Sequence, residues 1–326
     1  MNLLIYGGGA IGRGFIPWVF PPDEFKYQFV DVKLSIRGYT TYRIKNGHYE
    51  ELHIETSHFD EADAIISAVG QRNFIHLSGK FKHYPVICCE NDSRLPLAMT
   101  SVNHNYNIFF AIPDVITSNT APPELLDKDP LSIVTEDGVL YVDNKMSWLG
   151  GNAIYLDERG MFQEWKAKLY LHNTPHCIAA YLGYQKGCWY VHEAMQIPHI
   201  REIIERVIHE TTQMVVNRYS IDPAFALAYG KKELKRFSNE LLFDPIKRVA
   251  REPLRKLALG ERLVGAARLC IQSNVTPHGI IEGIFAALQY DEQTDPDYER
   301  NKNMNIYTLG LDSDEPLMYM LMEKDG

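Results

Sequence analysis

Asn2-Leu3-Leu4-Ile5-Tyr6-Gly7-Gly8-Gly9-Ala10-Ile11-Gly12 decides how the first half of this 326-residue chain folds. The first five residues read as a short buried strand, and Gly7, Gly9 and Gly12 set G-x-G-x-x-G directly after it. Each glycine answers a separate steric demand. The first permits a tight turn, the second lets main chain approach a pyrophosphate, and the third lets the following helix pack closely on the strand. A helix starting here offers free N–H groups and its positive dipole end to phosphates. Gly7, Gly9, Ala10, Ile11 and Gly12 are therefore the expected contacts of a dinucleotide. A glycine pattern alone is weak evidence; a strand before it and a helix after it supply the context.

Working outward, Tyr27 to Asp31 reads as the second strand, and Asp31 stands roughly 20 residues beyond the last glycine, where a ribose-binding acid is expected. Its carboxylate accepts from ribose hydroxyls and repels a 2′-phosphate, which favours NAD over NADP; Lys33 and Arg37 nearby weaken that preference. The alternative is that Asp31 caps a loop. Ala62 to Gly70 and Tyr84 to Asn91 read as further buried parallel strands. Their carboxyl ends place Val69, Gly70 and Asn91 where a doubly wound sheet binds ligands, although Asn91 equally suits a turn. Between Asp31 and Tyr39 there is no room for a crossover helix, so this part of the sheet is expected to be abbreviated. Val139 to Val142 reads as the last strand before the junction. The expected domains are 1–155, dinucleotide-binding, and 156–326, helical and substrate-binding.

The length favours two domains, and 45% hydrophobic with 23% charged residues gives an ordinary globular composition. A net charge of −9 argues against a nucleic-acid binder, which would carry a basic excess. Cys88, Cys89, Cys177, Cys188 and Cys270 form no CxxC pair, so reduced thiols are expected. No stretch reaches the roughly 20 apolar residues of a membrane span, and no signal peptide is evident. A cytoplasmic location is expected.

In the second half, apolar residues recur at helical spacing over 161–187, 199–218, 223–237 and 262–272, and Thr276-Pro277 reads as a helix start. Lys168-Leu169-Tyr170-Leu171-His172-Asn173-Thr174-Pro175-His176 lies in the first of these. At about 100° per residue, Lys168, Asn173 and His176 fall near 0°, 140° and 80° on a broad helix face. Three readings compete. Asn173 or Thr174 caps a turn at Pro175; His172 and His176 form a metal pair, for which a third ligand is not evident; or Lys168 transfers protons without a metal. The upstream dinucleotide signal favours the third. Arg251, Arg255 and Lys256 form either an anion site or, as residue spacing alone favours, a solvated face.

These residues resemble the long-chain polyol dehydrogenases. Lys168-x4-Asn173-x2-His176, followed by Ala179 to Tyr184, resembles their signature. Ile11 to Gly14, Phe29 to Val32, Cys89 to Asn91, His192 to Ala194, Arg236 to Asn239, Arg251 to Leu257, Arg262 to Gly265 and Gly310 to Asp312 agree in order. The resemblance implies an α/β N-terminal Rossmann-type domain plus a mainly α-helical C-terminal domain, with NAD as cofactor and no metal. It implies metal-free hydride transfer between a sugar alcohol phosphate and its ketose phosphate. Lys168 would be the general acid–base, with Asn173, His176 and Asn91 holding the reacting oxygen. Lysine's ordinary pKa near 10.4 must fall for that role. With a phosphorylated substrate, Arg251, Arg255 and Lys256 become the expected phosphate ligands, since arginine forks match that group. A free-sugar or hexuronate oxidoreductase and a non-catalytic NAD-binding sensor are the alternatives; the expected assembly is a monomer or homodimer. Two departures stand out: Phe110 to Thr117 lacks the Asn and Asp-Arg pair usual there, and Pro175 replaces a small residue.

Overall fold

Leu3 and Ile5 are fully buried in a strand flanked on both sides, which is why Asn2 to Tyr6 lacks the alternation of a half-exposed strand. The computed structural model describes residues 1–81, 83–102, 107–118 and 120–325. The chain divides into two compact units, Met1–Trp165 with Leu241–Phe243, and Lys166–Glu240 with Asp244–Gly326.

In the first unit the strands are β1 (Asn2–Tyr6), β2 (Lys26–Val30), β3 (Gly38–Lys45), β4 (His48–Glu55), β5 (Ala64–Ser67), β6 (Pro85–Cys88), β7 (Asn107–Asp114), β8 (Ile133–Glu136), β9 (Val139–Asp143) and β10 (Ile154–Leu156). Seven form one sheet in the order β10-β9-β7-β6-β5-β1-β2. From β2 across to β7 it is parallel, and β9 joins β7 antiparallel. Helices Gln71–Phe81 and Leu95–Val102 make crossovers between these strands, the right-handed unit that parallel pairing demands. Strand order turns at β1, the switch point where such sheets bind ligands. The expected last strand, 139–142, is followed by one more, β10.

No crossover helix follows Asp31, as the spacing requires. Its place is taken by the hairpin β3–β4, turned at Asn46 and Gly47, both with positive φ (50° and 78°). Asn-Gly is the strongest short hairpin signal, and the sequence reading passed over it. With β8 the hairpin makes a second, three-stranded sheet.

The second unit is helical. Pro198–Tyr219, Pro223–Phe237, Val264–Gln272, His278–Leu288 and Pro316–Asp325 are its longer α-helices besides Thr174–Gln185. Thr174 to Gly183 are buried, so this helix is the unit's central rod. The expected single helix over 161–187 is interrupted: Glu158–Ala167 is α-helical, Lys168–Asn173 is π-helical, and Thr174–Gln185 is α-helical again. Pro277 is the residue before the first helical one, and the helix opens at His278. Glu210 ties that opening to Pro198–Tyr219, accepting from the amides of Gly279 (2.7 Å) and Ile280 (3.1 Å). No helix among the described residues is long and apolar enough to cross a membrane.

Candidate active site

The glycine turn comes first. Gly7 has φ +97°, and a Cβ there would lie 2.4 Å from the Ala68 carbonyl oxygen; at Gly12 it would lie 2.0 Å from that of Gly7. Both positions are closed to any side chain. Around Gly9, by contrast, no heavy atom lies within 4 Å of where a Cβ would stand. That leaves room for a pyrophosphate beside the start of the helical run of Ala10 to Val19, so these residues fit a dinucleotide.

Asp31 stands one residue past β2 and braces this turn. Its Oδ2 accepts from the Gly8 amide (2.8 Å) and its Oδ1 from those of Lys33 (2.8 Å) and Leu34 (3.1 Å). Burial pushes its carboxyl up, but these amides and the Arg13 charge outweigh that and hold it below its ordinary value. It stays ionised at neutral pH, as ribose recognition needs. Val69 and Gly70 follow β5, and both of their amides donate to Glu90 (2.8 and 2.9 Å). Burial pushes Glu90 up to about 6 against those hydrogen bonds. The sequence reading missed this buttress, which shapes the expected cofactor loop. Asn91 lies exposed beyond β6, and its main-chain carbonyl accepts from Gln71.

Lys168, Asn173 and His176 are all buried in the second unit. The π segment replaces the α spacing on which their predicted angles rested. With i→i+5 bonding the turn is wider, so Asn173 lies less far around from Lys168 than the roughly 140° of a regular α-helix. Pro175 supplies the reason. Within a helix its ring clashes with the preceding turn and it has no N–H to donate, and a wider turn relieves both. The Thr174 hydroxyl lies 3.3 Å from the Leu169 carbonyl and donates to that of Arg262 (2.7 Å), anchoring the segment. Asn173 Nδ2 is buried and has no hydrogen-bond partner among the described residues. A buried donor in this condition calls for an acceptor, which a water or a ligand can supply.

The two histidines lie side by side, ring centroids 5.0 Å apart. His172 Nδ1 is 2.5 Å from Glu233 Oε2, and Glu233 also pairs with Arg236. His176 Nε2 is 2.9 Å from Asp244 Oδ2, and its ring is stacked on Phe237, 4.9 Å away and 3° from parallel. Burial lowers both imidazoles' pKa values, and the Lys168 charge adds to the effect on each. Both are neutral at physiological pH. Glu233 and Asp244 were not expected from sequence; nothing in their local pattern marks them as histidine partners.

The three expected phosphate ligands differ in setting. Arg251 is largely exposed. Lys256 is buried, donates to the carbonyls of Val249 (2.5 Å) and Arg251, and lies over the Tyr181 ring. Arg255 reaches Glu252 with one nitrogen (3.4 Å), while its Nη1 is buried without a partner among the described residues. Arg262 Nε and the Tyr181 hydroxyl are in the same condition. Burial lowers the Arg262 pKa, and the neighbouring Arg255 charge lowers it further. Arg262 stands just before the helix Val264–Gln272, and nothing in its local sequence marks it as buried.

Sheet order, glycine turn and the strand-end acid define a Rossmann-type unit, and solved structures share the fold over most of the chain's length. Pseudomonas fluorescens mannitol 2-dehydrogenase, solved as a ternary complex with NAD and D-mannitol, superposes with a TM-score of 0.73 at 15% identity, covering 95% of this chain and 85% of that one. A D-sorbitol dehydrogenase gives 0.63 at 13% identity over 88% of this chain and 79% of its own. The family profile described as the mannitol dehydrogenase C-terminal domain matches residues 162–305. Mannitol-1-phosphate 5-dehydrogenase of Bacillus velezensis is 30% identical over 342 residues, 91% of this chain and 90% of that protein. The protein of that name from Caldanaerobacter subterraneus is 28% identical, over 90% of this chain and 88% of its own. The chain belongs to the mannitol dehydrogenase family of polyol-specific long-chain dehydrogenases.

Proposed function

We propose that this protein is an NAD-dependent oxidoreductase that interconverts a sugar alcohol phosphate and its ketose phosphate, mannitol 1-phosphate and fructose 6-phosphate. The observation that carries the reading is the buried Asn173 amide, without a partner among the described residues, in the same π-helical segment as Lys168. The relatives named mannitol-1-phosphate 5-dehydrogenase support the substrate pair.

Gly7, Gly9, Ala10, Ile11, Gly12, Asp31, Val69 and Gly70 would hold NAD, which supplies the hydride acceptor. Lys168, in its neutral form, takes the hydroxyl proton as the alcohol is oxidised. Asn173 Nδ2 donates to the oxygen as negative charge develops on it, a contribution of about 3 kcal/mol for a well-placed donor. Asn91 is proposed to assist at the same oxygen. In the reverse direction the Lys168 ammonium returns the proton. Among the three expected phosphate ligands, Arg255 carries the phosphate reading best, because one of its buried guanidinium nitrogens has no partner among the described residues. Arg251 would add charge from the exposed side, and Lys256 would hold the main chain at Val249 and Arg251. The protein is proposed to act in the cytoplasm.

The test is NADH absorbance with fructose 6-phosphate, free fructose and hexuronates, repeated with NADPH. Oxidation of NADH by fructose 6-phosphate, nearly abolished in Lys168→Ala, is expected. Turnover of free sugars alone would replace the phosphate reading, and binding of NAD without turnover of any polyol would overturn the enzyme reading.

A further inference from the structure

A neutral imidazole carries one ring proton, and which nitrogen holds it decides whether the other nitrogen donates or accepts. Asp244 settles that choice for His176. Its Oδ2 lies 2.9 Å from His176 Nε2, and its Oδ1 accepts from Arg248 Nε (3.0 Å) and Nη2. Burial pushes the Asp244 carboxyl up, but Arg248 and the hydrogen bond from His176 outweigh this and keep it ionised. An ionised carboxylate only accepts, so the nitrogen facing it bears the proton. Burial, with the charges of Arg248 and Lys168, keeps His176 neutral against the pull of Asp244, so Nδ1 carries a lone pair.

The arrangement is braced on several sides. Phe237 fixes the ring plane by stacking, and the Asp244 main-chain carbonyl accepts from the Val191 amide (3.1 Å). Arg248 grips the carboxylate with two nitrogens, which fixes its orientation as well as its charge.

We propose that Asp244, braced by Arg248, is a positioning residue that locks His176 in the Nε2–H form and so commits Nδ1 to accepting a hydrogen bond. This rests on the polyol oxidoreductase reading and divides the work within it. Asn173 donates to the oxygen that becomes negative. His176 presents a lone pair, which is repelled by an alkoxide but fits a hydroxyl, so it selects substrates with an O–H beside the reacting carbon. That feature belongs to polyols and ketoses rather than to simple ketones. On this proposal the role expected of His176, holding the reacting oxygen, moves to a neighbouring hydroxyl.

The experiment combines ring 15N NMR of the whole protein with kinetics. The His176 signal is assigned by its loss in His176→Gln. Wild type is expected to show the neutral Nε2–H pattern near pH 7. In Asp244→Asn the amide oxygen must serve Arg248, so its NH2 faces His176 and drives the ring proton to Nδ1. The corresponding exchange in serine proteases reverses the tautomer and lowers kcat by about 10⁴. Here kcat on fructose 6-phosphate is expected to fall at least about 100-fold, with KM for NADH unchanged and the ring pattern switched. An Nδ1–H or imidazolium pattern in wild type overturns the proposal, as does an Asp244→Asn variant with switched ring and unchanged kcat. If the variant does not fold, the wild-type spectrum decides alone. If the wild type turns over no polyol, the proposed function fails while the tautomer assignment is still read from the spectrum.

Discussion

Asn173 closes the π-helical segment that Lys168 opens, so the two residues stand one i→i+5 turn apart. In a regular α-helix the same pair would diverge by about 140°. The smaller angle between Lys168 and Asn173 is therefore a product of the wide turn, and the wide turn precedes Pro175. π-bulges recur at functional sites.

Pro175→Ala restores an N–H and removes the ring clash, so the helix can relax toward α geometry. Proline is about 3 kcal/mol less favourable than alanine in a helix interior. The melting temperature is expected to stay level or rise, while kcat falls tenfold or more as Asn173 rotates away from Lys168. Thermal melts and NADH kinetics on the same preparation check this; full activity in the variant would show that the register does not depend on the proline.

The contrast between the two units shows what a sequence displays. Gly7 and Gly12 were legible because their constraint is local: each lies against main chain, and only glycine fits. The length between Asp31 and Tyr39 excluded a crossover helix by arithmetic of chain reach alone. Asn46-Gly47 was equally local and was passed over. Asp244, Glu233 and Arg262 are different. Their partners are 68, 61 and 88 residues away in sequence, and pairings across that distance leave no periodicity to read. The π segment lay between: Pro175 was visible, but a proline in a helix leads to a kink, a break or a bulge, and packing decides which.

Glu210 makes a stability prediction with a definite sign. Burial pushes it up to about 7, against the hydrogen bonds from the Gly279 and Ile280 amides and the Arg206 charge. A carboxyl raised on folding contributes stability that is complete below its unfolded value near 4.5 and lost as pH rises through 7. Urea unfolding from pH 5 to 8 is expected to show declining stability across this window, by an amount on the order of 1–3 kcal/mol from this group. Glu210→Gln, which cannot ionise, should flatten the decline. An unchanged slope in the variant would assign the effect elsewhere, with Glu90, at about 6, the next group to test.

At the cofactor turn, Asp31 both accepts the Gly8 amide and, in the proposed reading, faces a ribose. Asp31→Ser shortens the side chain and removes its charge. KM for NADH is expected to rise at least about tenfold, with a smaller change in kcat. NADPH should gain relative to NADH, because the repulsive charge is gone while Lys33 and Arg37 remain. Steady-state kinetics with both cofactors measure the ratio, and an unaltered preference would remove Asp31 from cofactor selection.

The basic cluster separates into a residue that holds the main chain and two arginines that each keep one buried nitrogen without a partner among the described residues. Lys256 donates to the Val249 and Arg251 carbonyls from a buried position. Lys256→Met leaves those carbonyls short of a donor, at a cost of about 1–3 kcal/mol, and is expected to lower the melting temperature by several degrees with every substrate affected alike. Arg255 and Arg262 hold buried guanidinium nitrogens without partners among the described residues. Arg255→Ala is expected to raise KM for fructose 6-phosphate tenfold or more and to leave free fructose nearly unchanged, because the lost fork recognises only a phosphate oxygen. Comparing the two variants on the two substrates decides the assignment: a phosphate-selective loss in Lys256→Met, or a uniform loss in Arg255→Ala, would exchange their roles.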